Sequence, residues 1–252
     1  KPKRAKAMAA TEEAVDLYRV LAGVEPDAFT PYLAKSLGNL GMMLSVAELR
    51  EEALAATEES VGLLRKLGRE RPSIFKPDLA MALNNLGIIL GALRRGEQVM
   101  AATKESVDLY RELAAGEPSA FTPHLAMSLS NFGNRLAELG RRDEAMAAAQ
   151  EAVDIRRELA KERPDAFNSD FATSLGALGV TFARFGEFAE ALRAFAVGVR
   201  VLWPYFEAQP QAHGRVFSGL LSDVVRVRDN VGLEIPEDLR ELVAKFEAQS
   251  LG

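Results

Sequence analysis

The chain contains no cysteine, which excludes disulfides, thiolate metal sites and a cysteine nucleophile, and fits a reducing, cytoplasmic setting. Histidine is nearly absent, with only His124 and His213. No H-E-x-x-H or phosphate-loop G-K-[ST] pattern occurs, so neither a zinc hydrolase site nor a nucleotide-binding loop is expected. Aromatic residues are scarce at 7% while Ala and Leu are abundant, a bias that suits helices packed on small side chains and fits a large sheet poorly. No apolar run approaches 18 residues, so no membrane-spanning helix is expected. The first residues, Lys1-Pro2-Lys3-Arg4, lead into an amphipathic segment and not into the apolar core of a secretory signal. Excess positive charge is lacking as well. A net charge of −5 argues against a nucleic-acid partner, which requires a basic stripe to neutralise phosphates.

What is present is a repeat. The segment Ala53-Leu54-Ala55-Ala56-Thr57 recurs as Val99-Met100-Ala101-Ala102-Thr103 and as Ala145-Met146-Ala147-Ala148-Ala149. It appears again as Ala7-Met8-Ala9-Ala10-Thr11 and, weakened, as Ala191-Leu192-Arg193-Ala194-Phe195, always at a step of 46 residues. Prolines keep the same step at Pro26, Pro72, Pro118, Pro164 and Pro210. So do Leu37, Leu83, Leu129, Leu175 and Leu221, and a glycine column at Gly41, Gly87, Gly133 and Gly179 that is lost at Val225. Several columns in phase without an insertion establish the period.

Each unit reads as two helices. The spacing predicts a first helix after Pro118-Ser119-Ala120-Phe121, with Thr122 as N-cap and Pro123 in the first turn; Thr30-Pro31 repeats the arrangement. Leu125, Leu129, Phe132, Gly133 and Leu136 then mark a buried face. Gly140 is the expected left-handed residue ending that helix, and Asp143-Glu144 place acidic charge at the start of the second. The second helix runs to about Glu162 and stops at Pro164. Helices of roughly 17 to 22 residues span about 25–33 Å at 1.5 Å per residue. A pair cannot bury its apolar face alone, so units must stack into a continuous core.

The repeat array is assigned to residues 1–210. Residues 5–24 match only the second helix of a unit, whose uncovered apolar face implies a chain cut from a longer protein and offers a surface for a homodimer. Residues 211–252 are assigned to divergent capping helices, because Trp203-Pro204 is expected to interrupt a helix and His213 replaces a phenylalanine column.

These columns resemble the tetratricopeptide repeat. Phe132-Gly133 matches its Leu-Gly pair, Leu136 stands for the aromatic residue a turn later, and Gly140, Ala145 and Ala152 match its small positions. The family's unit has 34 residues; the longer unit here is closer to the variants of kinesin light chains. Leu83-Asn84-Asn85-Leu86-Gly87 with its Arg-rich turn also resembles arrays of bacterial and fungal signalling proteins. The resemblance implies an all-α fold of antiparallel helix pairs stacked in a right-handed α-solenoid, and a role in protein–protein interaction.

In such arrays the first helices line a groove. The groove face here is expected to contain Lys35, Gly38 and Met42, then Met81, Asn84 and Ile88, then Met127, Ser130 and Asn134, and finally Thr173, Gly176 and Val180, each set spaced i, i+3, i+7. Methionine adapts to varied apolar surfaces, and the stripe lacks paired Lys and Arg for a terminal carboxylate, so the expected partner is a protein or peptide with an apolar face. Asn84 and Asn134 read as more accessible than Ile88, while Asn39, Asn85 and Asn131 read as structural. The same Met and Ile side chains also suit packing between units.

No chemistry is expected. His124 shares a column with Tyr32, Asp78 and Asp170, the profile of an exposed position. The pairs Glu12-Glu13, Glu51-Glu52 and Glu58-Glu59 recur with the repeat, as a solvated helix face does. The cluster Lys1, Lys3, Arg4 and Lys6 reads as linker. A non-enzymatic scaffold without cofactor or metal is therefore expected, with a self-associating spacer as the alternative.

Overall fold

The computed structural model describes the backbone of residues 2–250 and the side chains of residues 6–248; the basic residues Lys1, Lys3 and Arg4 lie outside those side chains. Its helices are α1 (Pro2–Val24), α2 (Pro26–Val46), α3 (Arg50–Glu70), α4 (Pro72–Ala92), α5 (Gly96–Gly116), α6 (Pro118–Glu138), α7 (Arg142–Glu162), α8 (Pro164–Arg184), α9 (Phe188–Ala208), α10 (Pro210–Val231) and α11 (Glu237–Ser250). No strand occurs among the described residues. The chain divides into two compact units, one up to Asn131 and one from Phe132. In the first, consecutive helices from α1 to α5 pack on one another; in the second, α7 to α11 do so.

The proline column fixes where the first helix of each pair begins. Pro26, Pro72, Pro118, Pro164 and Pro210 are all first residues of their helices. The residue before each is held extended, with φ from −128° at Glu25 to −141° at Gln209, because the pyrrolidine ring disfavours a helical conformation there. This corrects the start predicted at Thr122: α6 already runs from Pro118, and Pro123 sits inside it, as Pro31 and Pro77 sit inside α2 and α4. Neither does Trp203-Pro204 interrupt a helix, since α9 continues through Pro204 to Ala208.

The turn inside each pair ends the first helix with one left-handed residue. Gly140 takes φ 72° as expected, and Gly186 φ 81°, but the equivalent residues in the first unit are Glu48 (φ 67°) and Arg94 (φ 57°). At all four turns the next N–H reaches back five residues, as in Arg95 N to Leu90 O at 3.0 Å and Arg141 N to Leu136 O at 2.9 Å. The left-handed residue bonds three back, as in Arg94 N to Gly91 O at 3.0 Å. This paired pattern satisfies carbonyls that the helix end would otherwise leave open.

Small residues let the two helices of a pair approach. A Cβ on Gly41 would collide with the Thr57 side chain and lie 3.1 Å from the Ala53 carbonyl oxygen, and one on Gly87 would collide with Thr103. On Gly179 it would come within 2.5 Å of the Phe195 ring. Ser60 Oγ donates to the Ala34 carbonyl at 2.6 Å and Ser106 Oγ to Ala80 at 2.8 Å, so the seam is bonded as well as close-packed. The leucine column from Leu37 to Leu221 is buried throughout.

In the second unit α10 and α11 form a further helix pair. Gly232 (φ 69°) ends α10 in register with the left-handed turn residues, and α11 buries Leu239 and Val243 against α9 and α10. Two bonds of 2.6 and 2.8 Å from Arg200 to Asp238 tie it down and hold the Asp238 carboxyl below its usual range.

Candidate interaction face

Each first helix of a pair has a face that its neighbours leave open. In the first unit that face of α4 consists of Met81, 45% exposed, the half-buried Asn85, Ile88, 39% exposed, and Ala92. The matching residues of α2 are Lys35, Asn39, Met42 and Val46, of which Met42 is half-buried and the others exposed. The spacing is i, i+4, i+7, i+11, which at about 100° per residue drifts little around a helix. Met127 and Asn131 continue the same columns on α6 and are half-buried. In the second unit the corresponding residues are Asn134 and Glu138 on α6, and Thr173, Ala177, Val180 and Arg184 on α8.

One column therefore differs from expectation. The sequence pattern puts Asn84 on the accessible stripe and makes Ile88 the less open; instead Asn84 is 3% exposed and Ile88 39%. Its side-chain oxygen accepts a 2.9 Å bond from the Asn131 amide. The other members of that column serve packing too. A Cβ on Gly38 would lie 3.3 Å from Ser60 Oγ and one on Gly176 3.1 Å from Leu220 Cδ2, while Ser130 bonds its own helix at Ala126 O, 3.0 Å away. Both i+3 and i+4 satisfy helical periodicity, and the exposed choice here is i+4. Thr173, although exposed, also turns its hydroxyl back, to Ser169 O at 2.8 Å. Of the three asparagines expected to be structural, Asn131 bonds a side chain and not a backbone, while Asn39 is exposed and Asn85 half-buried on the open face.

His124 is not the open position its column suggested. It is half-buried and stacks on Tyr110 with centroids 5.5 Å apart and planes 12° apart. Tyr18 and Tyr32 stack at 5.5 Å at the equivalent place two repeats earlier, and Arg156 pairs with Asp170 one repeat later. Residues 14 apart thus face each other across successive helices, which explains the variety in that column.

The recurrent glutamates carry ion pairs along the second helices. Arg19 donates to both oxygens of Glu59 at 3.1 and 2.8 Å, Arg65 to Glu105 at 2.5 Å, and Arg95 to Glu51 at 3.1 Å. Among the described residues no group of three or more His, Asp or Glu is placed to hold a metal ion. No helix among them is long and apolar enough to cross a membrane.

A second open face lies on α1. Leu17, Val20, Leu21 and Val24 are all exposed, Val20 at 69% and Val24 at 76%. One repeat later the residues equivalent to Leu17 and Leu21 are Leu63, half-buried, and Leu67, buried. The residues equivalent to Val20 are Lys66, Glu112 and Glu158, and those equivalent to Val24 are Glu70, Gly116 and Glu162.

Comparison with known proteins agrees with this architecture. Residues 125–165 match the tetratricopeptide repeat. No curated protein matches the chain. The crystal structure of BtubC (BKLC) from P. vanneervenii superposes with a TM-score of 0.72 at 14% identity, covering 99% of this chain and 92% of that one. A kinesin-light-chain candidate from Podosopora anserina, with nearly identical TPR-like repeats, gives 0.60 at 15% identity, covering 85% and 91%. MamA gives 0.51 at 14% identity, covering 81% and 89%. At these identities the likeness is one of fold: an all-helical array of tetratricopeptide-type helix pairs.

Proposed function

We propose that this tetratricopeptide-type array is a non-enzymatic protein-interaction module that seats a peptide or helix of a partner on the open faces of its first helices. The observation that carries the reading is the stripe Met81–Asn85–Ile88–Ala92 beside Lys35–Asn39–Met42–Val46. Solvated helix surfaces favour charge, yet this one presents two large apolar side chains on α4 with two more beside them on α2. Methionine conforms to different apolar surfaces, and burying one such side chain against a partner contributes about 1.5–3 kcal/mol. Asn39 and Asn85 add amides that can pair with a partner's main chain. A partner segment with apolar residues on one side fits that combination.

The test is selection from a peptide library by the whole chain and by a Met81→Glu/Ile88→Glu variant of unchanged helicity. Wild type should select apolar motifs that the variant no longer binds. Equal selection by both would show that these side chains only pack.

The α1 stripe favours a second reading, self-association. Two valines stand where later repeats carry mostly charge, and Leu17–Val20–Leu21–Val24 has the i, i+3, i+4, i+7 spacing of a helix-pairing seam. Sedimentation across a concentration series would reveal a dimer that Val20→Glu/Val24→Glu abolishes. A wild-type mass independent of concentration removes this reading.

A further inference from the structure

The open face of α4 carries a side chain whose chemistry can change without disturbing the core. Met81 is exposed there beside Ile88, in a column that holds Lys35, Met127 and Thr173 in the other repeats. The chain has seven methionines, all among the described residues, and the other six are half-buried. Met8 and Met146 pack against the cores of their units, and the Met43 sulfur accepts the Thr11 hydroxyl at 3.5 Å. Met42 and Met127, on the open faces of α2 and α6, are partly covered. Access from water therefore sets Met81 apart.

That access has a chemical consequence because the chain has no cysteine, so no thiol can answer an oxidant and thioethers are the only sulfur present. A thioether has no proton to lose, and its reaction with a peroxide follows exposure. The sulfur gives an electron pair to one oxygen of hydrogen peroxide and the O–O bond breaks. That oxygen stays on sulfur as the sulfoxide, while the other takes the remaining proton and leaves as water. Sulfur is oxidised by two electrons and the peroxide is reduced by two. The product is polar and chiral where methionine was apolar and pliant. At an exposed position it leaves the packed helices as they are. Against an apolar partner segment it buries a strong acceptor without a donor, which removes the gain from burial and adds a desolvation cost.

From this we infer that Met81 is a peroxide-sensitive modification site: conversion to methionine sulfoxide releases a partner segment from the α2–α4 face, and enzymatic reduction restores it. The inference rests on the reading of that face as the seat of an apolar partner and adds its regulation. Ile88, the other large apolar side chain exposed on α4, has no such chemistry, so the response resides in one residue.

The experiment treats the whole chain with graded hydrogen peroxide, removes the excess with catalase, and maps oxygen addition at each methionine by peptide mass spectrometry. Binding is titrated with a library-selected peptide that contains no Met, Cys or Trp. Met81 should gain its oxygen before the other six, with helical circular dichroism unchanged. At that dose affinity should fall about tenfold, the scale set by burial of one such side chain, and methionine sulfoxide reductase should restore it. In Met81→Leu, whatever its starting affinity, the same dose should change binding less than twofold. Met81→Gln should bind as weakly as oxidised wild type, before and after peroxide. Earlier oxidation of another methionine, unchanged affinity of the oxidised protein, or an equal loss in Met81→Leu overturns the switch and leaves the apolar seat standing. Untreated wild type that selects no peptide overturns both.

Discussion

The Asn131 side-chain amide donates to the side-chain oxygen of Asn84 at 2.9 Å, joining α6 to α4 through two residues that occupy neighbouring columns of the repeat. The bond removes Asn84 from the open face and gives its place there to Asn85. A buried amide whose partner is deleted is costly because the remaining polar group cannot turn to water. Asn84→Ala should therefore lower the unfolding free energy by about 1 kcal/mol while peptide affinity changes less than twofold. Asn85→Ala should show the reverse, little change in stability and weaker peptide binding. Denaturant titration together with peptide titration separates the two; loss of affinity in Asn84→Ala at full stability would return that residue to the binding face.

The left-handed turn residues predict gains. An L side chain at positive φ costs about 1–2 kcal/mol relative to glycine, and the first unit accepts that cost at Glu48 and Arg94, where the second unit has Gly140 and Gly186. Arg94→Gly should raise the stability of the chain by about 1 kcal/mol. Glu48→Gly should gain less, since it also removes the exposed pair with Arg50 at 3.1 Å. Gly140→Ala should lose about 1 kcal/mol. Urea midpoints for the three variants test the series, and an Arg94→Gly protein no more stable than wild type would show that the turn is relaxed by other means.

How much of this was readable in the residues depends on the length scale of the signal. The period, the helix pairs, the buried leucine column and the Gly140 turn follow from positions recurring at 46, because each repeat must meet its neighbours in the same way. Thr122-Pro123 is a good N-terminal signal locally, but Pro118 four residues earlier satisfies the same rule and adds another turn to α6. Pro204 is a helix breaker by local rule, yet Leu202, Trp203 and Tyr205 around it pack into the core, and α9 continues through it. The choice between Asn84 and Asn85 was not readable at all, since spacings of three and four both return to one face and only the neighbouring helices decide which side is covered. The stack of His124 on Tyr110 joins residues of different helices, and nothing in either column alone signals it.

Arg156 and Asp170 predict an asymmetry. Arg156 is 7% exposed in a column whose other members are Tyr18, Leu64, Tyr110 and Leu202, and it pairs with Asp170, which reaches solvent. Removing the carboxylate takes a counter-charge away from a buried guanidinium, whereas replacing the arginine with leucine returns the column to its apolar pattern. Asp170→Ala should cost about 2 kcal/mol, discounted from the fully buried case because the carboxylate is half in water. Arg156→Leu should lie within about 1 kcal/mol of wild type, and the double variant should match Arg156→Leu alone. Thermal and denaturant unfolding check this; equal losses for the two single variants would mean that the pair acts as an ordinary stabilising contact.

Tyr110 predicts how stability falls at high pH. The ring is 1% exposed, its hydroxyl has no hydrogen-bond partner among the described residues, and burial together with the Asp78 charge raises its pKa to about 12. In the unfolded chain tyrosine ionises near 10. A group whose pKa is higher in the folded state favours folding below the unfolded value, and that contribution drains away as the unfolded chain loses its proton first. Between about pH 10 and 12 the wild-type protein should therefore lose up to about 1.4 kcal/mol per pH unit relative to Tyr110→Phe. At pH 7 the phenylalanine variant should be as stable as wild type or more so by about 1 kcal/mol, because it removes a buried hydroxyl that gains nothing from its surroundings. Unfolding of both proteins across that pH range, read by circular dichroism, measures the difference. Parallel curves for the two would mean that Tyr110 ionises as readily in the fold as outside it, and that its hydroxyl reaches water.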